Sequence, residues 1–244
     1  MIDTGCIVCG SGLTYSIGNT DLVCAVCLKS FSSNVKCKNG HYVCDNCHQL
    51  GATEYIESYC KNTSQTNPAI LIVEMMKNPK IKMHGPEHHF LVPAVLLACY
   101  YNHQGGHGAI GEKLSIAQKR SKNILGGFCG FCGNCGAGVG TGIFMSIITG
   151  ATPMSVDEWR LSNLMTAKSL ECIANNGGPR CCKRDSFSAI ESALAFLESN
   201  LQVSLPATEI KCTFSAINKE CKNVECRYFC GGYTELQSKD CTSV

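Results

Sequence analysis

Between Gly126 and Pro153 the chain reads GGFCGFCGNCGAGVGTGIFMSIITGATP, which runs three cysteines at C-x2-C-x2-C spacing straight into an apolar segment. That spacing lets the thiolates of Cys129, Cys132 and Cys135 converge on one cubane (4Fe-4S) iron–sulfur cluster, while the glycines between them let the loop wrap it. A run that continued C-x3-C would carry a cysteine at position 139, where Val139 stands, so the fourth ligand is remote or missing. The small residues from Gly136 to Gly142 predict a helix whose first turn, at Gly136 and Gly138, can approach a cofactor with free N–H groups. A nucleotide loop is the poorer reading of the same glycines, because no strand precedes them and no βαβ unit surrounds them.

The first fifty residues carry four ligand pairs: Cys6 and Cys9, Cys24 and Cys27, Cys37 and His41, Cys44 and Cys47. Eight ligands make two tetrahedral zinc sites. Two pairings are open. The interleaved one (Cys6, Cys9, Cys37, His41 with Cys24, Cys27, Cys44, Cys47) is preferred because it does not force one eleven-residue stretch around a single ion. The module carries its own ligands and reads as separable, structural and suited to docking; His48 reads as a surface residue.

Twenty cysteines raise the question of disulfides. The N-terminus shows no charged segment followed by an apolar one, so no secretory signal is expected, and C-x2-C pairs suit metals better than a disulfide lattice. A cytoplasmic, reducing and anaerobic setting is expected. A formal charge of +2 with 16% charged residues gives no field that would draw nucleic acid or an anionic membrane. No apolar run is long enough for a membrane span. Hydrophobic residues make up 45% of 244 residues, enough for a true core.

Past residue 67 the period is helical. Asn67 and Pro68 open AILIVEMMKN as N-cap and first helical residue, with Pro79 beyond its end. The segment MHGPEHHFLVPAVLLACYYNHQ predicts a long buried helix bent at Pro93. A more solvated helix follows over roughly 112–125, and then the helix after Cys135. Ser155 and Glu158 form a capping box for VDEWRLSNLMTAKSLECIANN, and Asp185 or Ser186 starts FSAIESALAFLESN. The fold expected is therefore mainly α. It has a small N-terminal zinc-ribbon or treble-clef-like module over 1–52, a linker over 53–67, and an all-α metal-binding domain over 68–244.

Two further groups carry chemistry. In HGPEHH the order H-x-x-E-H matches the inverted zincin motif, but Pro86 in the first turn leaves His84 ahead of the helix. Glu87 and His88 are the candidate acid–base pair beside the cluster, and His103 and His107 read as solvent-facing. In GGPRCCKR, Cys181 and Cys182 lie ahead of a helix among Arg180, Lys183 and Arg184, where thiols should ionise easily. One of them supplies the fourth cluster ligand, or both remain free low-pKa thiols. Cys212, Cys221, Cys226, Cys230 and Cys241 could form a third metal site, while Cys60, Cys99 and Cys172 read as packed small hydrophobes.

The run from Cys24 to Cys47 resembles part of a RING or treble-clef finger, which would imply protein interaction. HGPEHHFLVPAVL, the Gly126–Pro153 stretch and GGPRCCKR, within about residues 68–200, resemble an uncharacterised cysteine-rich family of anaerobic bacteria and archaea. Its members are sometimes joined to methyltransferases. The CG-rich turn and its small-residue helix are also similar to iron–sulfur serine dehydratases and cysteine desulfidases, in which three cysteines hold a cubane and the open iron takes substrate. This last likeness implies a lyase or sulfur-handling enzyme acting on a small molecule. The alternative is a non-catalytic metal-binding adaptor or electron carrier serving a partner enzyme such as a methyltransferase.

Overall fold

The computed structural model describes residues 6, 8–9, 11–44, 47, 50–106, 108 and 110–231. The expectations for His48, His107 and Cys241 fall outside them. Among the described residues the fold is mainly helical with one two-stranded sheet. Strands β1 (Leu13–Val23) and β2 (Ser30–Cys37) pair antiparallel from Leu13 opposite Cys37 to Val23 opposite Ser30, with a shift of register between Tyr15 and Thr20. Both strands lie in the cysteine-rich module, as expected.

Among the described residues eight α-helices follow: α1 (Ala52–Asn62), α2 (Pro68–Met76), α3 (Glu87–His103), α4 (Ile110–Ser121), α5 (Phe128–Phe131), α6 (Gly136–Thr149), α7 (Asp157–Asn175) and α8 (Cys182–Leu201). The first of these corrects the linker read over 53–67. Tyr55, Ile56 and Cys60 fall on one helical face and are buried in the core, whereas Glu54, Glu57 and Lys61 between them gave the segment its polar character. Helix α2 starts as read: Asn67 accepts hydrogen bonds from the N–H groups of Ala69 and Ile70, and Pro68 occupies the first turn. The capping box at Ser155 does not form. The Ser155 hydroxyl takes the N–H of Thr152 instead, so Val156 caps α7 with no side-chain bond.

Helix α3 is the axis of the core. Residues Phe90 to Cys99 are all buried, and the helix continues through Pro93. Helix α6 packs on α3, α4, α7 and α8. Its glycines make this possible, in two stripes of i, i+4 spacing. A methyl on Gly140 would lie 2.8 Å from Cδ of Pro93 in α3, while one on Gly138 would lie 2.8 Å from Cδ2 of Leu170 in α7. A methyl on Gly142 would collide with Thr166 Oγ1 and approach the Ser162 carbonyl to 3.0 Å. Thr141 then ties the layers together, donating to the Gly138 carbonyl at 2.7 Å and sharing a hydrogen bond with Ser169 at 2.9 Å. Gly142→Ala should therefore lower stability by about 1–3 kcal/mol, the usual cost of overpacking. Gly18→Ala, with nothing within 4 Å of the new methyl, should leave the unfolding midpoint in urea where it was. Equal midpoints for both variants would refute the close-contact reading.

The C-terminal segment corrects an all-α reading that ran to residue 244. Among the described residues beyond Leu201, the only helical turns are 3-10, at Ser215–Ile217 and Asn223–Glu225. Leu205, Ile210, Phe214 and Tyr228 are nonetheless buried against the helices. Tyr228 shares a hydrogen bond with the Ser188 hydroxyl and donates to Glu191 of α8 at 2.8 Å.

Candidate metal centres

The hairpin explains how the N-terminal ligands assemble. Its open end, where Leu13 meets Cys37, carries Cys6 and Cys9 beside Cys37 and His41; its turn end carries Cys24 and Cys27 beside Cys44 and Cys47. The interleaved pairing is thus the one brought together. Within each set all four ligand atoms lie within 4.8 Å of one another, so each can hold a metal ion. Cys9 and Cys37 sulfurs are 3.8 Å apart, Cys37 Sγ and His41 Nδ1 3.4 Å, and Cys27 and Cys44 sulfurs 4.0 Å. Backbone N–H groups point at these sulfurs: Val8 at Cys6, Val26 and Cys44 at Cys24, and His41 at Cys37. For Cys9, burial works upward but hydrogen bonds from Ser11, His41 and Cys37 bring it down to about 6. Burial pushes its neighbour Cys6 up to about 11. Crowded thiols cannot all ionise without a cation among them.

A second site lies where three sequence-distant motifs meet. A cavity of about 280 Å³ is walled by His84, His88 and His89 from the start of α3, by Cys129, Cys135 and Gly136 around α5 and α6, and by Arg180, Cys182 and Asp185 from the start of α8. Each histidine has one ring nitrogen engaged by an oxygen. His88 Nδ1 donates to the Gly85 carbonyl at 3.1 Å, and His89 Nδ1 to the Ile124 carbonyl at 3.1 Å. His84 Nε2 lies 3.1 Å from Glu220 Oε2. A carbonyl can only accept, so His88 and His89 carry their protons on Nδ1 and turn the Nε2 lone pair away from it. His88 is 1% exposed, and its Nε2, like His84 Nδ1, is buried with no partner. Such an orphaned nitrogen on the wall of a cavity is a vacant acceptor or ligand position. Burial, helped by the Lys183 charge, depresses His88 to about 3, so the ring is neutral.

The carboxylate of Asp185 meets the Arg184 guanidinium at 3.4 Å, and its Oδ2 lies 4.0 Å from Cys135 Sγ. Burial raises it to about 6 against the pull of Arg184. Burial also raises Cys135 to about 12, with Asp185 adding to the rise, and Cys182 to about 11. This corrects the expectation of easily ionised thiols. The neighbouring cations are engaged elsewhere: Lys183 is 2% exposed and donates to the carbonyls of Met76 and Ile81, while Arg184 donates to those of Gly177 and Pro179. In addition, α8 begins at Cys182, earlier than Asp185 or Ser186, with Cys181 as its extended N-cap.

Other sequence candidates separate. Cys132 is exposed and does not line the cavity, and among the described residues only the two N-terminal sets have their ligand atoms within 4.8 Å. Glu87 turns to the Lys82 N–H at 2.8 Å and leaves His88 as the member of that pair facing the cavity. Gly136 lines the cavity, whereas Gly138 is used up against Leu170. Cys181 faces a different pocket from Cys182. From the sequence, His84, Arg180 and Asp185 have other roles, in the zincin order, the basic field and the helix start, and His89 has none. The signal for the histidines was present in HGPEHH, but the zincin order drew attention to its spacing rather than to the loop before the helix.

No curated protein and no solved structure matches the chain. Residues 56–229, which begin past the hairpin module and hold all three converging motifs, match the Family of unknown function (DUF5714), and the chain belongs to that family.

Proposed function

We propose that the chain is an iron–sulfur enzyme of lyase or sulfur-handling type, with the large cavity as its centre and a zinc ion in each N-terminal set. The observation that carries this reading is the convergence of Cys129, Cys135 and Cys182 with the unpartnered His88 Nε2 on one cavity. Thiols are the donors iron–sulfur clusters take. Cys132, on the same loop between Gly130 and Gly133, completes the ligand set. With Cys182 on the fourth iron, that iron would supply Lewis acidity once substrate displaces the Cys182 thiolate. His88 accepts a hydrogen bond from substrate or lends its lone pair. Asp185, steadied by Arg184 and near Cys135, exchanges the proton. Arg180, exposed at the mouth, favours an anionic substrate such as a small carboxylate.

Exposure of Phe131 (93%) beside Cys132 favours a second reading, a binding module or electron carrier docked by a partner enzyme at that loop. The experiment is anaerobic purification with metal and acid-labile sulfide analysis. Iron and sulfide in equal amounts are expected. Zinc alone in the chain, with no sulfide, would defeat the cluster. A cluster whose spectrum responds to small carboxylates supports the enzyme over the carrier.

A further inference from the structure

We propose a third metal site, made only of thiolates, in which Cys181, Cys212, Cys221 and Cys226 take one zinc ion and staple the C-terminal segment to the start of α8. All four line one pocket of about 20 Å³, the size of a single water or ion. They come from the start of α8 and from one stretch of the C-terminal segment, residues 212–226, and all are free thiols, while Cys230 is disulfide-bonded and stands outside the set.

The local turns repeat those of the N-terminal sets. There, the N–H of Val8 points at Cys6 and that of Val26 at Cys24, each two residues on, at 3.4 and 3.5 Å. In the C-terminal segment the N–H of Phe214 points at Cys212 at 3.5 Å and that of Asn223 at Cys221 at 3.3 Å, again two residues on. Asn218 adds a side-chain N–H to Cys181 at 3.5 Å. These donors stabilise sulfur as thiolate. A divalent ion on four thiolates carries a net charge of −2, and Lys183, Arg184 and Lys222, whose N–H groups serve backbone carbonyls, still line the pocket with positive charge that offsets part of it. The four sulfurs are not drawn within 4.8 Å of one another as in the N-terminal sets, so loading must pull the loop over 212–226 inward.

The site has a structural consequence. Beyond Leu201 the described chain has short turns and an isolated bridge between Cys212 and Phe229 as its only regular structure, and otherwise rests on the packing of Leu205, Ile210, Phe214 and Tyr228. Glu220, next to Cys221, is the partner of His84 on the wall of the large cavity. A metal on Cys221 would thereby fix the residue that orients His84.

The test compares zinc content of the full chain with that of a Cys221→Ser, Cys226→Ser double variant, both loaded with zinc alone. The wild type should hold one ion more than the two N-terminal sets account for, and the variant should lose that ion while keeping the rest. Equal zinc in the two would overturn the site. Thiol alkylation of the unaltered chain gives a second readout that does not depend on the variant folding. Cys181, Cys212, Cys221 and Cys226 should be protected together by zinc and become reactive together on chelation; unchanged labelling would overturn the proposal. Iron content reports on the large cavity separately, so the two readings can fail independently.

Discussion

Changing Cys182 to serine should cost an anaerobically prepared chain its iron, and the same change one residue earlier, at Cys181, should not. Adjacent residues at the start of a helix point in different directions. Cys181 is the extended N-cap, with φ −138° and ψ 99°, and faces the small pocket; Cys182, the first helical residue, faces the large cavity. Serine oxygen is a poor ligand for a soft site. Loss of an outer-shell partner alone costs about 10–100-fold in metal affinity, so loss of a ligand should cost at least as much. Cys181→Ser should instead remove one zinc ion and leave the cluster spectrum unchanged. Iron lost from both variants alike, or from neither, would sink the division of the doublet between two sites.

That division marks the limit of what the sequence could tell. Elements set by local chemistry were legible: the Asn67–Pro68 start of α2, the all-round apolar α3, and the strands confined to the cysteine module. The N-terminal ligand sets were legible too, because C-x2-C pairs are bounded by their own short turns and a hairpin has only two ends. What failed depended on packing between distant segments. The glycines from Gly136 to Gly142 looked like room for a cofactor and are mostly room for neighbouring helices. Arg180, Lys183 and Arg184 looked like a field that would ionise two thiols. Lys183 and Arg184 are instead held by backbone carbonyls, and desolvation governs both cysteines. Glu87 stands beside His88 in sequence, but its oxygen serves the Lys82 amide. None of these outcomes is encoded in spacing; each follows from which element arrives alongside.

The two N-terminal sets, one of three cysteines and a histidine and the other of four cysteines, should differ sharply in what they contribute to stability. Cys24, Cys44 and Cys47 belong to the same buried cluster as Tyr55, Ile56 and the helical core, with Val26 packed among them. Cys6 and Cys37 are buried but stand outside that cluster. The module expected to be separable is therefore joined to the helices through one of its two sites, and Lys80 strengthens the joint by donating to the Leu50 carbonyl. Losing the metal from the Cys24 set leaves crowded thiols in a cavity the core must close over: burial raises Cys44 and Cys47, with the neighbouring sulfurs adding to the rise of Cys47, while at Cys24 backbone N–H groups overcome burial and bring it down to about 7. A Cys24→Ser, Cys27→Ser variant should lose on the order of 4 kcal/mol, which for a chain of this size lowers Tm by roughly 8–16 °C. A Cys6→Ser, Cys9→Ser variant should lose its ion with a shift under about 2 °C in the main transition, since the exposed β1 end can fray without uncovering the helices. Calorimetry of the two variants decides the matter: equal shifts, or a larger one for the Cys6 set, would show that the hairpin is attached to the helical core by some other contact.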